Sequence, residues 1–401
     1  MCSFTSPGNH YVKTENDMHY IKYVFLLFAL SSCLSQQKLS NSDPATAEIS
    51  IASIKFLDQY IIPYNHHFQQ TWVGGLSGID YDRKNNKYFI ISDERSATSA
   101  ARFYSAEIDI NHYKIDTVRF TAVASLRDAR QDTFPALKTT PERAADPESI
   151  RYNPINQTLI WSSEGDKKIR NGHMVYQDPY VYEMDLKGRF KDSFLIPDNV
   201  KMYKDDRGAR ENGVFEGISF TPDYKNLWVS MEGPVYEDGP LATVTYKNAP
   251  VRFTLFDAKN KKPLAQYGYL LDAVARPPVP ENAFSVNGVS EIFSIGQNQL
   301  LVLERSFSTG STGCVISLYL ADFSKATDVK GIKSLYQNNH YSPALKKLLY
   351  RLNDLDLMID NVEGITVGPK LPNGHFSMIL IADNNFSPLQ QQQVFLFEII
   401  P

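Results

Sequence analysis

The sequence predicts an all-β fold, a β-propeller of five blades closed by its own N-terminal strand. One pattern recurs five times along the 401 residues, at intervals of about 70. Each copy carries short strand-like runs separated by Asn, Asp, Gly and Lys turns, which is the makeup of a propeller blade. The last copy lacks a fourth strand, while the first is preceded by a spare one. Composition agrees: 43% of residues are hydrophobic and 12% aromatic, with 23 Tyr and 23 Phe. That is ample for a core and suits strands better than helices.

The recurring pattern is a small or acidic residue, an Ile, a turn, an apolar run and an acid. The first copy runs from Gly75-Leu76-Ser77-Gly78-Ile79 through Tyr88-Phe89-Ile90-Ile91 to Asp93-Glu94. The second begins at Glu148-Ser149-Ile150 and reaches Glu164; the third begins at Glu216-Gly217-Ile218 and reaches Glu232. The fourth leads from Ser290-Glu291-Ile292 to Glu304-Arg305, and the fifth from Glu363-Gly364-Ile365 to Asp383. In the first three copies the Ile-to-acid distance is the same 14 positions. Third strands are expected at 103–110, 181–186, 251–256, 314–320 and 394–399, and fourth strands at 118–125, 190–196, 264–271 and 329–336. The spare strand, 49–60, pairs with the last copy and leaves no open edge. The count is five blades, or six if an insertion hides a degenerate one. Polar insertions at 128–146, 200–212, 273–287 and 337–361 fall between blades, on the face that carries the repeated glutamates.

The N-terminus reads as an export signal. Lys22 precedes the apolar run Tyr23-Val24-Phe25-Leu26-Leu27-Phe28-Ala29-Leu30, too short to span a bilayer, and Ser31-Ser32-Cys33 follows. Leu30-Ser31-Ser32-Cys33 resembles the lipobox of bacterial lipoproteins, which implies acylation of Cys33. The expected organisation is a signal peptide over 1–32 (with Met18 an alternative start), a lipidated Cys33 with a polar tether to 46, and the propeller over 47–401. The expected location is a bacterial membrane, reached only through the lipid and facing the periplasm or the cell surface. Of three cysteines only Cys314 then remains in the propeller, so neither a disulfide nor a cysteine-based zinc site is available there. The formal net charge of −4, from 41 basic and 45 acidic residues, gives no footprint for nucleic acid. The partner expected is a small molecule, and the chain is expected to be a monomer.

Function is expected at the propeller axis. In a propeller the first strand of each blade lines the central channel, so Glu148, Glu216, Glu291 and Glu363 gather around one opening. The acids that close the second strands (Glu94, Glu164, Glu232, Glu304, Asp383) are assigned to the opposite end or to the following loop. Carboxylates that close need cations between them. Arg95, Arg210 and Arg305 are candidates, as is a hard metal; oxygen donors without clustered His or Cys favour Ca²⁺ first and Mg²⁺ second. The catalytic set is Glu216, Glu148, Glu363 and Arg305, and the metal set is Glu148, Glu216, Glu363 and Glu291. The chemistry is hydrolysis of an anionic ester, such as a phosphoester, with the metal polarising the leaving group and a spare carboxylate acting as base. Two alternatives stay open: glutamates that merely cap loops and pair with neighbours, and a non-catalytic propeller that binds a ligand or protein in the cell envelope.

The strings Phe215-Glu216-Gly217-Ile218, Trp228-Val229-Ser230-Met231-Glu232-Gly233-Pro234 and Asp383-Asn384-Asn385-Phe386 are similar to those of a known family. Together with 75–80, 146–150, 301–305 and 390–398 they resemble the phytase-like, "esterase-like activity of phytase" domain, over roughly residues 70–400. The resemblance implies a propeller, secretion or a periplasmic location, and an ester-cleaving activity attributed to shared Glu and Asp residues. Lipidation is directly testable: Cys33→Ser should move the protein from the membrane fraction to the soluble one. Retention in the membrane without lipid on residue 33 would refute it.

Overall fold

The computed structural model describes Glu48–Pro401 apart from Asn171 and Asn339. The expected signal segment, Cys33 and the whole tether lie outside the described residues. Five four-stranded antiparallel sheets follow one another among them as the blades of a propeller. Blade 1 comprises Leu76–Asp82, Lys87–Ser92, Arg102–Asn111 and Lys114–Ser125. Blade 2 comprises Pro147–Asn153, Thr158–Ser163, Tyr180–Asp185 and Phe190–Ser193. Blade 3 holds Phe215–Phe220, Asn226–Met231, Pro250–Asp257 and Pro263–Leu270, and blade 4 holds Ser285–Ser294, Gln299–Ser308, Val315–Asp322 and Leu345–Arg351. Blade 5 is made from both ends of the chain: Asn361–Lys370, Phe376–Asp383 and Gln392–Ile400, completed by Ser53–Ile62. The N-terminal strand pairs antiparallel with the C-terminal one from Ser53 opposite Ile400 to Ile62 opposite Gln392. Its Ile54 and Ile62 are buried, so closure satisfies the sheet edge and also removes apolar surface from water.

The innermost strands crowd one another, and their sequence answers that crowding. The position before each anchoring Ile is Gly78, Ser149, Gly217, Glu291 or Gly364. A Cβ on Gly78 would lie 2.7 Å from the Ser149 Cα, and one on Gly217 would lie 2.6 Å from the Ile292 nitrogen. Serines stitch neighbours together: Ser77 Oγ donates to the Glu148 carbonyl at 2.6 Å, and Ser290 Oγ to the Val362 carbonyl at 3.1 Å. In every blade the register between first and second strands shifts just ahead of the Ile, between Leu76 and Gly78, Pro147 and Ile150, Phe215 and Ile218, Val289 and Glu291, and Val362 and Gly364. A bulge bends its strand and re-aims the side chain it displaces.

Two features depart from the sequence reading. Residues 329–336 are not the outer strand of blade 4. Their backbone is taken instead by blade 3: Arg252 donates to the Val329 and Ile332 carbonyls, and Asp238 accepts from the Leu335 amide. Arg252 and Asp238 form a buried ion pair at 2.6 Å, so this capture is fixed from beneath. The outer strand is Leu345–Arg351, inside what read as an insertion, where charged residues at the exposed edge mask the strand pattern. Blade 2 also carries an added hairpin, Asp166–Arg170 with His173–Gln177, that the repeat did not announce.

Deletion of residues 47–62 should unzip blade 5 and lower stability by more than about 3 kcal/mol, from loss of two buried isoleucines and a ladder of hydrogen bonds. An unchanged thermal midpoint for the truncated protein would show that the ring closes without this strand.

Candidate functional site

At one end of the channel the propeller opens into a cavity of about 920 Å³. Eight carboxylates and two guanidiniums line it among the described residues: Asp93, Asp146, Glu148, Glu164, Glu216, Glu232, Asp360 and Glu363, with Arg95 and Arg305. Two structural positions supply most of them. The bulged residue two before the anchoring Ile gives Glu148, Glu216 and Glu363. The residue three after the partner of that Ile, towards the cavity end of the second strand, gives Asp93, Glu164, Glu232 and Arg305. The second position closes on the first: the Glu164 amide donates to the Asp146 carbonyl, the Glu232 amide to that of Val214, and the Asp93 amide to that of Gly75. All four insertions reach the cavity as well, through Asp146, Asn212, Phe284 and Asp360.

The carboxylates fall into two triads. Oxygens of Asp93, Asp146 and Glu148 lie within 4.8 Å of one another, and so do those of Glu164, Glu216 and Glu232. Arg95 serves the first neighbourhood, meeting Asp146 at 3.0 Å and Asp166 at 3.4 Å. Arg305 serves the second, meeting Glu232 at 3.0 Å and Glu363 at 3.6 Å. Glu363 is further tied to Asn361 Nδ2 at 2.8 Å, and its other oxygen is buried without a donor. The Glu148 and Glu216 carboxylates take no hydrogen bond from any described residue.

Burial, reinforced by neighbouring carboxylates, raises the pKa of Asp93, Glu148, Glu164 and Glu216 well above the usual range. Burial raises Glu232 and Glu363 too, with Arg305 opposing. Burial disfavours the charge on Arg305, but Glu363, Glu232 and Glu216 outweigh it and hold the guanidinium protonated. Cys314 also borders the cavity; burial pushes its thiol up to about 11, so it is no thiolate nucleophile.

Oxygen-only donors in compact triads fit a hard divalent cation, and the donor-free carboxylates of Glu148 and Glu216 are the atoms such an ion would satisfy. Residues 71–386 match the Phytase-like family, described as esterase-like activity of phytase. The chain belongs to this family. Solved structures similar to this phytase-like propeller include a xylan β-1,4-xylosidase from Bacillus halodurans C-125 (10% identity, 82% of this chain and 54% of that one, TM-score 0.46). The chain thus spans about half the length of that xylosidase. Others are a thermostable family-43 glycoside hydrolase (11%, 81% and 89%, 0.43) and the periplasmic gluconolactonase of Pseudomonas aeruginosa (10%, 82% and 90%, 0.34). These likenesses concern the fold alone. No curated protein matches the chain.

Of the residues singled out from sequence, Glu148, Glu216, Glu363 and Arg305 meet in this cavity, but Glu291 does not. Glu291 stands one position nearer the Ile, so strand alternation turns it into the channel, where the missing side chain of Gly217 leaves room. There it binds Arg151 at 2.9 Å, Ser149 Oγ at 2.6 Å and the Ile218 amide at 3.1 Å. Burial pushes it up to about 7, with Arg151 opposing. Its donors are already committed within the protein, which removes the reason to count it as a metal ligand.

The second-strand acids share the face of the first set rather than lying opposite it, because in an antiparallel pair the end of one strand lies beside the start of the other. In blade 1 the cavity residue is Asp93; Glu94 turns away to Arg102 at 2.7 Å and to the amides of Ala97, Thr98 and Ser99. In blade 4 it is Arg305, while Glu304 binds Tyr269 and Lys346. The 14-residue spacing from Ile79 already pointed to Asp93. Asp146 and Asp360 lie in insertions and carry no repeat signal. Arg210 donates to the carbonyls of Pro234 and Gly239 and plays no part in the cavity.

A carboxyl whose folded pKa exceeds its unfolded value stabilises the fold while protonated. That stabilisation is complete below the unfolded value and is lost as pH rises through the folded one. In EDTA the thermal midpoint should therefore fall as pH rises above the ordinary carboxyl range, from about pH 5 upward. A midpoint that stays level or climbs over that window would show that the carboxylates are compensated within the chain.

Proposed function

We propose that this phytase-like propeller is a divalent-cation-dependent ester hydrolase, with phosphoesters its first substrate class and Ca²⁺ its first cation, Mg²⁺ second. The observation that carries the reading is the pair of carboxylate triads, each with oxygens within 4.8 Å, facing one cavity with too few guanidiniums to balance them. Asp93, Asp146 and Glu148 would hold one cation, and Glu164, Glu216 and Glu232 another. A cation bound there supplies polarisation of an ester oxygen and a more acidic water.

The chain's own groups divide the remaining work. Arg305, kept charged by the acids around it, is placed to orient an anionic oxygen of the substrate. Both of its ion pairs run through Nη2, and no described residue takes a hydrogen bond from Nη1, so a donor is left over after the ion pairs are made. Glu363, anchored by Asn361, fixes the guanidinium. Glu216, which has no donor of its own, brings one oxygen that would hold the cation and a second that could accept a hydrogen bond from water beside it. Export and anchoring through Cys33 would set this chemistry in the cell envelope.

Glu216→Gln keeps the shape and removes one buried charge. It should weaken Ca²⁺ binding by about tenfold and ester hydrolysis by about 10²-fold or more, while the midpoint in EDTA stays level or rises. Titration calorimetry with Ca²⁺ and Mg²⁺, beside chromogenic phosphomonoester, phosphodiester and carboxyl ester assays with and without EDTA, checks each part. Absence of heat from either cation with the unmodified protein would overturn the metal site. Cation binding without turnover of any ester would leave a binding module.

A further inference from the structure

The cavity has two unlike halves. Blades 1 to 3 and the insertions between them supply six carboxylates, those of both triads. Blades 4 and 5, with the insertions before them, supply large apolar side chains: Phe284, Val286, Phe307, Met358 and Leu389. Phe284 is 66% exposed, Met358 47% and Leu389 87%, an unusual density of wet apolar surface for one side of a polar cavity. Phe284 and Phe307 lie with ring centroids 6.2 Å apart. The Phe284 backbone is held in place, its carbonyl accepting from both the amide and the hydroxyl of Thr309 at 2.9 Å. The two acids on this side are already engaged: Asp360 by the Gln390 side chain and the Gln391 amide, Glu363 by Asn361 and Arg305. Arg305 stands on the seam between the halves.

We infer that the substrate is an ester with one charged head and an apolar aryl or acyl substituent, the head seated at Arg305 and the triads, the substituent on the wall of Phe284, Phe307, Met358 and Leu389. The inference rests on the hydrolase reading for which end reacts, but the apolar subsite is a matter of binding alone. A polyphosphorylated compound fits this cavity poorly. Several phosphates would face either six carboxylates or the apolar wall, and both guanidiniums are already ion-paired. A single head group can use Arg305 Nη1, which no described residue engages, and an apolar substituent removes the exposed aromatic and aliphatic surface from water.

Phenylphosphonate and methylphosphonate carry the same head, resist hydrolysis and differ in the apolar group. With the Ca²⁺-loaded protein, phenylphosphonate should bind about tenfold tighter or more. In the double variant F284A/L389A that preference should shrink to about threefold or less, with the thermal midpoint unchanged because both side chains are exposed. Equal affinities in the unmodified protein, a preference that survives the double variant, or no binding of either phosphonate would overturn the inference. So would inositol hexakisphosphate binding more tightly than phenylphosphonate. Hydrolysis of 4-nitrophenyl phosphate, measured on the same samples, judges the chemistry separately: a phenyl preference without turnover keeps the subsite and removes the reaction.

Discussion

Five innermost strands converge on one axis, and the space they leave each other governs the rest of the molecule. Where the strands touch, the residue before each anchoring Ile has to be small, hence Gly78, Ser149, Gly217 and Gly364, or else has to be the one that fills the gap, hence Glu291. A fully regular strand would send the residue before that small one into the ladder. The bulge in each first strand frees it instead, and in blades 2, 3 and 5 the freed residue is a glutamate. The acidic cavity is thus a product of how the blades pack. Arg151 and Glu291, buried together below it, plug the channel and give the cavity a floor.

That floor separates two ways of handling buried charge. Glu291 is paired, hydrogen-bonded and closed off, as a buried carboxylate must be to be tolerated. Glu148 and Glu216, a few residues away in space, face the cavity with no donor from the protein, although desolvation acts on them as strongly. A fold that can build the first arrangement has no structural need of the second. Carboxylates left without donors and gathered at a concave site are the kind of arrangement that functional sites use.

The repeats made the fold legible. The anchoring isoleucines and the missing fourth strand of the last copy gave the blade number and the closure, because both depend on local pattern. The outer strand of blade 4 was hidden because outer strands lack a buried partner face, and Leu345–Arg351 shows the exposed Leu345, Lys347, Leu348 and Arg351 that follow from that. Within the site, Glu148, Glu216 and Glu363 were found by their fixed distance from the Ile. Glu291 reads as one of that set, because a one-residue offset looks trivial in a sequence, but on a strand it reverses direction and takes the side chain out of the cavity. Asp146 and Asp360 come from insertions, whose course only the folded backbone decides. The apolar wall had no periodic signal at all.

Blade 5 joins Ser53–Ile62 to a strand that ends at Ile400, the longest sequence separation of any pairing in the propeller. The entropy of closing so large a loop has to be met before that ladder returns anything, so the final blade is expected to form late on the folding path. Until then Gln392–Ile400, an almost wholly buried strand, has an open edge. Asn361–Lys370 and Phe376–Asp383 form a competent hairpin with nothing to cap it. During this interval the nascent protein presents the surface most prone to pair with another copy of itself, and the N-terminal strand acts, in effect, as an intramolecular chaperone for the C-terminal one.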